Sequence, residues 1–324
     1  MRLTFNILVI FFLVSMATCF GANNKQLKIK SGIYISHVYG VDSTHETVRT
    51  SFWVWFIAPK DSVYEKYLEG DDSFYIRNAQ KSKIIYTEKR NLPDGNVWRL
   101  YEVKADLYQD WDYTNFPNDK QTFRIIIDSQ NLTTSELIFI PDMKNSKFGG
   151  DIELSGWDFG DFSITSTTYD YQSNFGLESS DGLGSDNGYN YSELIFAVPL
   201  VHADKNLDFK VYSLLYLACT LILFMFLIPI KHFWDRTSIT TVAMLAVVGN
   251  MLAVDGVLPP SLALTNVDKL QAFALILMIV MFGFVIITEH LQDRNIKFAR
   301  IINTVGFILC AVSIVVAFIK FTTF

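Results

Sequence analysis

Cysteine is scarce. The 324-residue chain has three, Cys19, Cys219 and Cys310, and none lies between residues 23 and 208. That stretch therefore forms no disulfide and no cysteine-based metal site, and its stability must come from a packed core. Basic charge is in deficit too. Residues 23–208 carry 28 acidic against 18 basic side chains, a net −10, which leaves +4 for the rest of a chain whose total is −6. An acidic half argues against nucleic acid as a partner and suits the attraction of cations. Also lacking are a Gly-rich phosphate loop, a metal-ligand cluster and a nucleophile motif, so no enzyme, cofactor or metal centre is expected.

What is abundant is apolar sequence, and it is segregated. Residues 1–22, MRLTFNILVIFFLVSMATCFGA, read as a secretory signal: Arg2 is the charged start, Leu8–Val14 the apolar centre, and small residues follow near Ala17 and Gly21. Residues 23–208 read as an exported domain. From 209 onward four apolar segments, at about 211–230, 237–258, 268–288 and 298–320, each approach the length a bilayer requires. Lys231, Arg236, Arg294, Lys297 and Arg300 cluster at the two connections that share one side, against Lys269 and Lys320 on the other. The positive-inside rule puts both connections in the cytoplasm, and the first domain and the C-terminus outside. The expected location is a plasma (inner) membrane, crossed several times.

The exported part reads as strands: IKSGIYISHVYG, VRTSFWVWFI, KIIYTEKRN, VWRLYEVKADLY, QTFRIIID, ELIFI, FSITSTTYDY and YNYSELIFAVPLV. LPDGN, between the third and fourth, is a hairpin signal. Many short strands separated by turns predict an all-β sandwich. Residues 177–188, LESSDGLGSDNG, read as a loop. In Val48–Phe56 the residues Val48, Thr50, Phe52, Val54 and Phe56 share the core side, while Arg49, Ser51, Trp53 and Trp55 share the other. Two tryptophans on a polar face call for a cover, either a neighbouring subunit or a ligand.

The second apolar segment is unusual. DRTSITTVAMLAVVGNMLAVDGVLPP carries Thr237, Ser238, Thr240, Thr241, Asn250 and Asp255 within its length. Polar groups in hydrocarbon are costly, so lipid does not cover every side of it. Helical spacing puts Ser238, Val242, Leu245, Gly249, Leu252 and Gly256 on one face. Periodicity alone leaves two readings open, close helix packing through small residues or a water-facing stripe.

The order and spacing of several motifs resemble those of pentameric ligand-gated ion channels, the bacterial branch of the Cys-loop receptor family. Asp235-Arg236 through Leu258-Pro259 resembles the pore helix of that family, and LTNVD, Leu264–Asp268, its LTxxD start of the third span. IYISHVYGVDSTHET resembles the first strand and following loop. FPNDKQTF, residues 116–123, resembles FPxDxQ. The absent cysteines and the short link between the last two spans resemble the prokaryotic members. Lys205 stands where the family usually has Arg, and the strand FWVWFIAPKD lacks the family's W-x-D.

That resemblance implies a homopentamer: a β-sandwich ligand-binding domain on a four-helix transmembrane bundle, a receptor that conducts monovalent cations. Asp235 would form a carboxylate ring at the cytoplasmic mouth, and Ser238, Val242, Leu245, Gly249, Leu252 and Gly256 would line the pore, with Leu245 as the apolar gate. Trp53 and Trp55 would face a neighbour's binding loops. Phe74, Tyr75, Asp128, Tyr169, Tyr189 and Tyr191 would supply those loops, and aromatics with a carboxylate suit an amine-like small agonist. Glu46, Phe116, Pro117, Asp119, Lys205 and Pro259 would couple the two parts, with Lys205 pairing to Glu46 or Asp119 and a cis bond before Pro117. Two alternatives stand beside the amine-gated channel. One is opening by protons through His37, His45, His202, His232 or His290. The other is a membrane-anchored receptor that does not conduct.

Overall fold

The computed structural model describes residues 26–42, 45–68, 74–149, 152–154, 156–173, 190–204, 206–256, 258 and 264–322. Its first part is a β domain of two sheets. β1 (Leu27–Asp42), β2 (Thr47–Pro59), β4 (Ala79–Asn91), β5 (Asn96–Tyr108) and β7 (Leu137–Pro141) form one sheet in the order β4-β5-β2-β1-β7, with β8 (Lys147–Phe148) added to β1. β3 (Tyr75–Ile76), β6 (Lys120–Thr133), β10 (Ser163–Asp170) and β11 (Asn190–His202) form the other, in the order β10-β11-β6-β3, with β9 (Trp157–Phe159) on β11. A short helix, α1 (Val63–Tyr67), follows β2 and is capped by the Ser62 hydroxyl.

The sequence periods explain the sheets. Val48, Thr50, Phe52, Val54 and Phe56 of β2 are all buried, as are Tyr101, Val103, Ala105 and Leu107 of β5 and Phe123, Ile125 and Ile127 of β6. These side chains meet Leu194, Phe196 and Val198 of β11 in one apolar core between the sheets. The LPDGN turn closes the β4–β5 hairpin: Gly95 adopts φ 81° and its amide donates to the Leu92 carbonyl at 3.2 Å.

Four long helices follow: α2 (Leu207–Met225), α3 (Phe233–Asp255), α4 (Asn266–Gln292) and α5 (Ile296–Thr322). All four are long and apolar enough to cross a membrane, so this is a multi-pass membrane protein. The first span needs correction. It starts at Leu207 rather than 211, and it ends at Met225 rather than 230, because Pro229 cannot continue a helix and restrains the residue before it. The other spans shift by four residues or fewer at their ends. The LTNVD motif has a physical purpose at the start of α4. Thr265 Oγ1 accepts from the Asp268 amide at 3.1 Å and Asp268 Oδ2 accepts from the Thr265 amide at 2.8 Å, a reciprocal cap.

Candidate functional sites

Three places combine polar chemistry with exposure or an unusual environment. The first is at β6 and β11. In these strands Ile127 and Leu194 point into the core, so alternation turns Asp128 and Glu193 the other way. The two carboxylates are register partners across the strands. Each is only 1% exposed, because side chains from other elements cover them. Arg77 Nε reaches Glu193 Oε1 at 2.5 Å, and the Tyr171 hydroxyl donates to Asp128 Oδ2 at 2.8 Å. The guanidinium carbon of Arg77 lies 4.0 Å from the Tyr169 ring centre. Tyr171 packs edge-on against Tyr169 at 4.8 Å and against Tyr191 at 5.5 Å. Burial, and then the neighbouring Asp128 charge, push the Glu193 carboxyl above its ordinary range despite Arg77.

Local contacts fix this arrangement. Asn78 ties the turn carrying Arg77 to two strands, donating to the carbonyls of Tyr108 at 3.0 Å and Arg124 at 2.9 Å and accepting from the Ile126 amide at 3.1 Å. The Gln172 amide donates to Asp170 Oδ1 at 2.8 Å, which turns the chain beside Tyr171. Of the expected residues, Asp128, Tyr169 and Tyr191 gather here, and Tyr75 is 43% exposed and register-paired with Asp128. Tyr189 lies outside the described residues. Phe74 does not join them: it packs on Phe56 at 5.3 Å and Tyr101 at 5.2 Å, inside the sandwich. Arg77, Tyr171 and Glu193 were missed. Period two offered a signal for two of them, since Tyr171 follows Tyr169 and Glu193 follows Tyr191 on the same side of their segments.

The tryptophans of β2 part company. Trp53 is partly exposed on the outer face of the other sheet, edge-on to Tyr86 at 5.9 Å and register-paired with Glu102. Trp55 is buried instead. Its indole N–H donates to Asp142 Oδ2 at 3.3 Å, and it lies against Gly32. Burial works against the Asp142 carboxylate, but Asn145, Lys30 and Trp55 more than offset it and hold its pKa below the ordinary value. Trp53 and the Asp128 group lie on different sheets, Trp53 on β2 and Asp128 and Glu193 on β6 and β11.

The second place is α3. Its buried stripe is Arg236, Thr240, Ala243, Val247, Asn250 and Val254. The opposite face carries Asp235, Ser238, Val242, Leu245, Leu252 and Gly256, all exposed, with Gly249 half-buried among them. Leu245 is 65% and Leu252 70% exposed. Arg236 donates to Thr288 Oγ1 at 3.1 Å and Asn303 Oδ1 at 2.5 Å inside the bundle. The hydroxyls of Ser238 and Thr241 bond back to the carbonyls of Trp234 and Thr237, at 2.8 and 3.0 Å.

The third place is the junction. Phe116 is buried among the helices with Tyr212 and Leu215, and the bond to Pro117 is cis. The Asn266 amide, at the start of α4, donates to the Thr114 carbonyl at 2.9 Å, and Asn118 Nδ2 donates to Asp208 Oδ1 at 3.3 Å. Asp119, almost wholly buried, accepts from Gln121 Nε2 at 2.6 Å and faces His202 Nε2 at 2.9 Å. His202 is stacked on Trp157 at 4.1 Å and edge-on to Phe116 at 6.0 Å. Glu46, at φ 52°, accepts from the Tyr108 hydroxyl, which raises the tyrosine pKa. Lys205 and Pro259 lie outside the described residues.

No known protein-family profile matches the chain, and no curated protein sequence matches it.

Proposed function

We propose that the protein is a subunit of a cation-selective homopentameric channel in the plasma membrane, opened by a small amine that binds the β domain from outside. The observation that carries this reading is the exposed face of α3. Along that face a carboxylate and two hydroxyls, Asp235, Ser238 and Thr241, stand exposed, groups that lipid would penalise. Asp235 and Asp255 are 20 residues apart, about 30 Å of helix, which is the thickness of the hydrocarbon region. In a ring of five, that face surrounds an aqueous axis, Val242, Leu245 and Leu252 form apolar constrictions, and Asp235 favours cations over anions at one mouth. The division of the aromatic residues supports the same assembly, because Trp53 and the Asp128 group complete one pocket only between neighbouring copies.

The decisive experiment is current through purified protein in planar bilayers, recorded across a panel of amines at constant pH and under salt gradients. Amine-evoked current that reverses near the cation equilibrium potential is expected. Reversal at the chloride potential removes the selectivity assignment, and silence under every amine removes the amine gate. Opening by protons has one observation in its favour, the His202–Asp119 contact at the junction, and a pH series without amine tests it. Channels that open on acid alone would replace the amine reading, and protein that binds amines but never conducts would be a membrane-anchored receptor.

A further inference from the structure

The outer face of the first sheet holds a basic pocket in an acidic domain. Residues 23–208 carry 18 basic against 28 acidic side chains, a net −10. Yet a concavity of about 450 Å³ over β2, β4 and β5 is lined by Arg49, Lys81, Lys83 and Lys104, with Asp106 as the single carboxylate among the described residues. Strand alternation explains the clustering. Ala105 and Leu107 of β5 are buried, so Lys104 and Asp106 turn outward. Register puts Arg49, Asp106 and Lys81 in one row across three strands, and Ser51, Lys104 and Lys83 in the next. Tyr39 of β1, exposed and stacked on His37 at 5.7 Å, forms one wall.

The charges in these rows do not cancel. Arg49 Nε meets Asp106 Oδ1 at 3.0 Å, and that pair is neutral. Lys81, Lys83 and Lys104 are exposed and make no ion pair among the described residues. Glu102, the next outward residue of β5, stands in the row of Trp53 and Tyr86 and does not line the pocket. Lys83 and Lys104 are direct register partners, and like charges placed opposite each other destabilise a sheet. A bound anion relieves that repulsion. The surplus is spread over two rows, two residues apart along each strand, or about 7 Å. One point charge cannot serve both rows, whereas a molecule with a carboxylate at each end can. The lysine stems and the Tyr39 ring offer apolar surface to a short hydrocarbon body between those ends.

We propose that this pocket binds a short aliphatic dicarboxylate, with one carboxylate on Lys83 and Lys104 and the other on Lys81 beside the Arg49–Asp106 pair. The site is separate from the Asp128 group, which lies on the other sheet, and it does not depend on the channel reading. Exposed charges are screened by water and salt, so each lysine contributes a modest share and binding weakens as salt rises. Removing either Lys83 or Lys104 lowers affinity without harming the fold, because the same change removes the repulsion between them.

The test is calorimetric titration of the purified full-length protein at neutral pH and low salt, with succinate as the dicarboxylate and propionate as its singly charged counterpart. Wild type should bind succinate saturably and about fivefold or more tighter than propionate. Lys83→Gln and Lys104→Gln should each weaken succinate by about two- to fivefold, and the double variant by about tenfold. Lys60→Gln, an equal loss of charge at an exposed position of the same domain outside the pocket, should leave succinate binding unchanged. Without ligand, the thermal midpoints of Lys83→Gln and Lys104→Gln should match or exceed that of wild type. Absence of saturable succinate binding overturns the proposal, and so does an affinity no better than that of propionate. Equal weakening by Lys60→Gln assigns the binding to the diffuse charge of the domain and overturns it too. Inorganic phosphate binding as tightly as succinate shows a single-centre anion site and overturns the two-row assignment. The ranking of the three anions on wild type decides the matter even if a variant fails to fold.

Discussion

A methyl group added at Gly32 would stand 2.2 Å from Cζ2 of Trp55 and 2.7 Å from the Ser146 hydroxyl oxygen. Neither neighbour has room to retreat, since Trp55 is buried and bonded to Asp142. Gly32→Ala should therefore destabilise the β domain by about 1–3 kcal/mol, read as a lower thermal midpoint. Glu65 offers a second test at this scale. Lys89, at 2.7 Å, and then Arg99, at 3.1 Å, hold its carboxyl below the ordinary glutamate range, although burial opposes them. A depressed carboxylate pKa stabilises the fold above the unfolded value, and that contribution disappears as pH falls through the lowered folded value. Glu65→Gln removes the carboxylate that Lys89 and Arg99 both face and should cost about 2 kcal/mol near neutrality. The gap between wild type and variant should close in acid. A gap that stays constant from neutral to strongly acidic pH contradicts this. Individual fates of this kind were the least legible part of the sequence. Trp53 and Trp55 share one side of one strand, and only the loop carrying Asp142 and Ser146, remote in sequence, decides that Trp55 is covered. Phe74 and Tyr75 stood as equals until the sandwich took one ring and left the other outside.

Elements were more legible. Every strand read from its β-branched and aromatic residues and flanking turn signals appears. The four spans appear as well, since hydrocarbon demands long apolar runs whatever their tertiary neighbours. The stripe on α3 was legible as a stripe, but not as an exposed one. Adjacent residues on a helix point about 100° apart, so Asp235 and Arg236, alike as a charged pair in the sequence, have opposite fates: one exposed, the other wholly buried in the bundle. Two glycines separate packing from lining. A side chain at Gly306 of α5 would begin 2.9 Å from Phe226 Cε1 and 3.0 Å from Phe284 Cδ1, whereas one at Gly249 meets nothing within 4 Å. Gly306→Leu should lower the stability of the purified protein by about 1–3 kcal/mol through forced repacking. Gly249→Ala should hold or slightly raise the thermal midpoint, by up to about 1 kcal/mol of stability, and, if α3 lines the channel, alter single-channel conductance. A strongly destabilised Gly249→Ala would show that α3 is packed differently.

For the whole molecule the junction is where the two parts meet. Phe116 packs among the helices while Asp119, three residues on, is held by Gln121 and faces His202 within the β domain. His202→Ala removes the group opposite a buried carboxylate and the ring stacked on Trp157. It should shift the agonist dose–response curve while leaving amine binding, measured by calorimetry, little altered; an unchanged curve would show that this contact transmits nothing. The sequence indicated this junction through the FPND motif and named Lys205 as the partner of Glu46 or Asp119; Lys205 lies outside the described residues, and the group facing Asp119 among them is His202. The division of the expected ligand-site residues over two sheets was not legible, because strand order within each sheet is set by pairings remote in sequence. The account stands or falls on the environment of α3. Cysteines introduced singly at Leu245 and Leu252 of α3, and at Val312 and Val316 of α5, occupy comparably exposed positions in the isolated chain, while the native Cys219 and Cys310 are buried. In membranes treated with a charged, water-soluble thiol reagent, the account predicts rapid modification at 245 and 252 and protection at 312 and 316. Equal protection at all four positions would put α3 against lipid and contradict it.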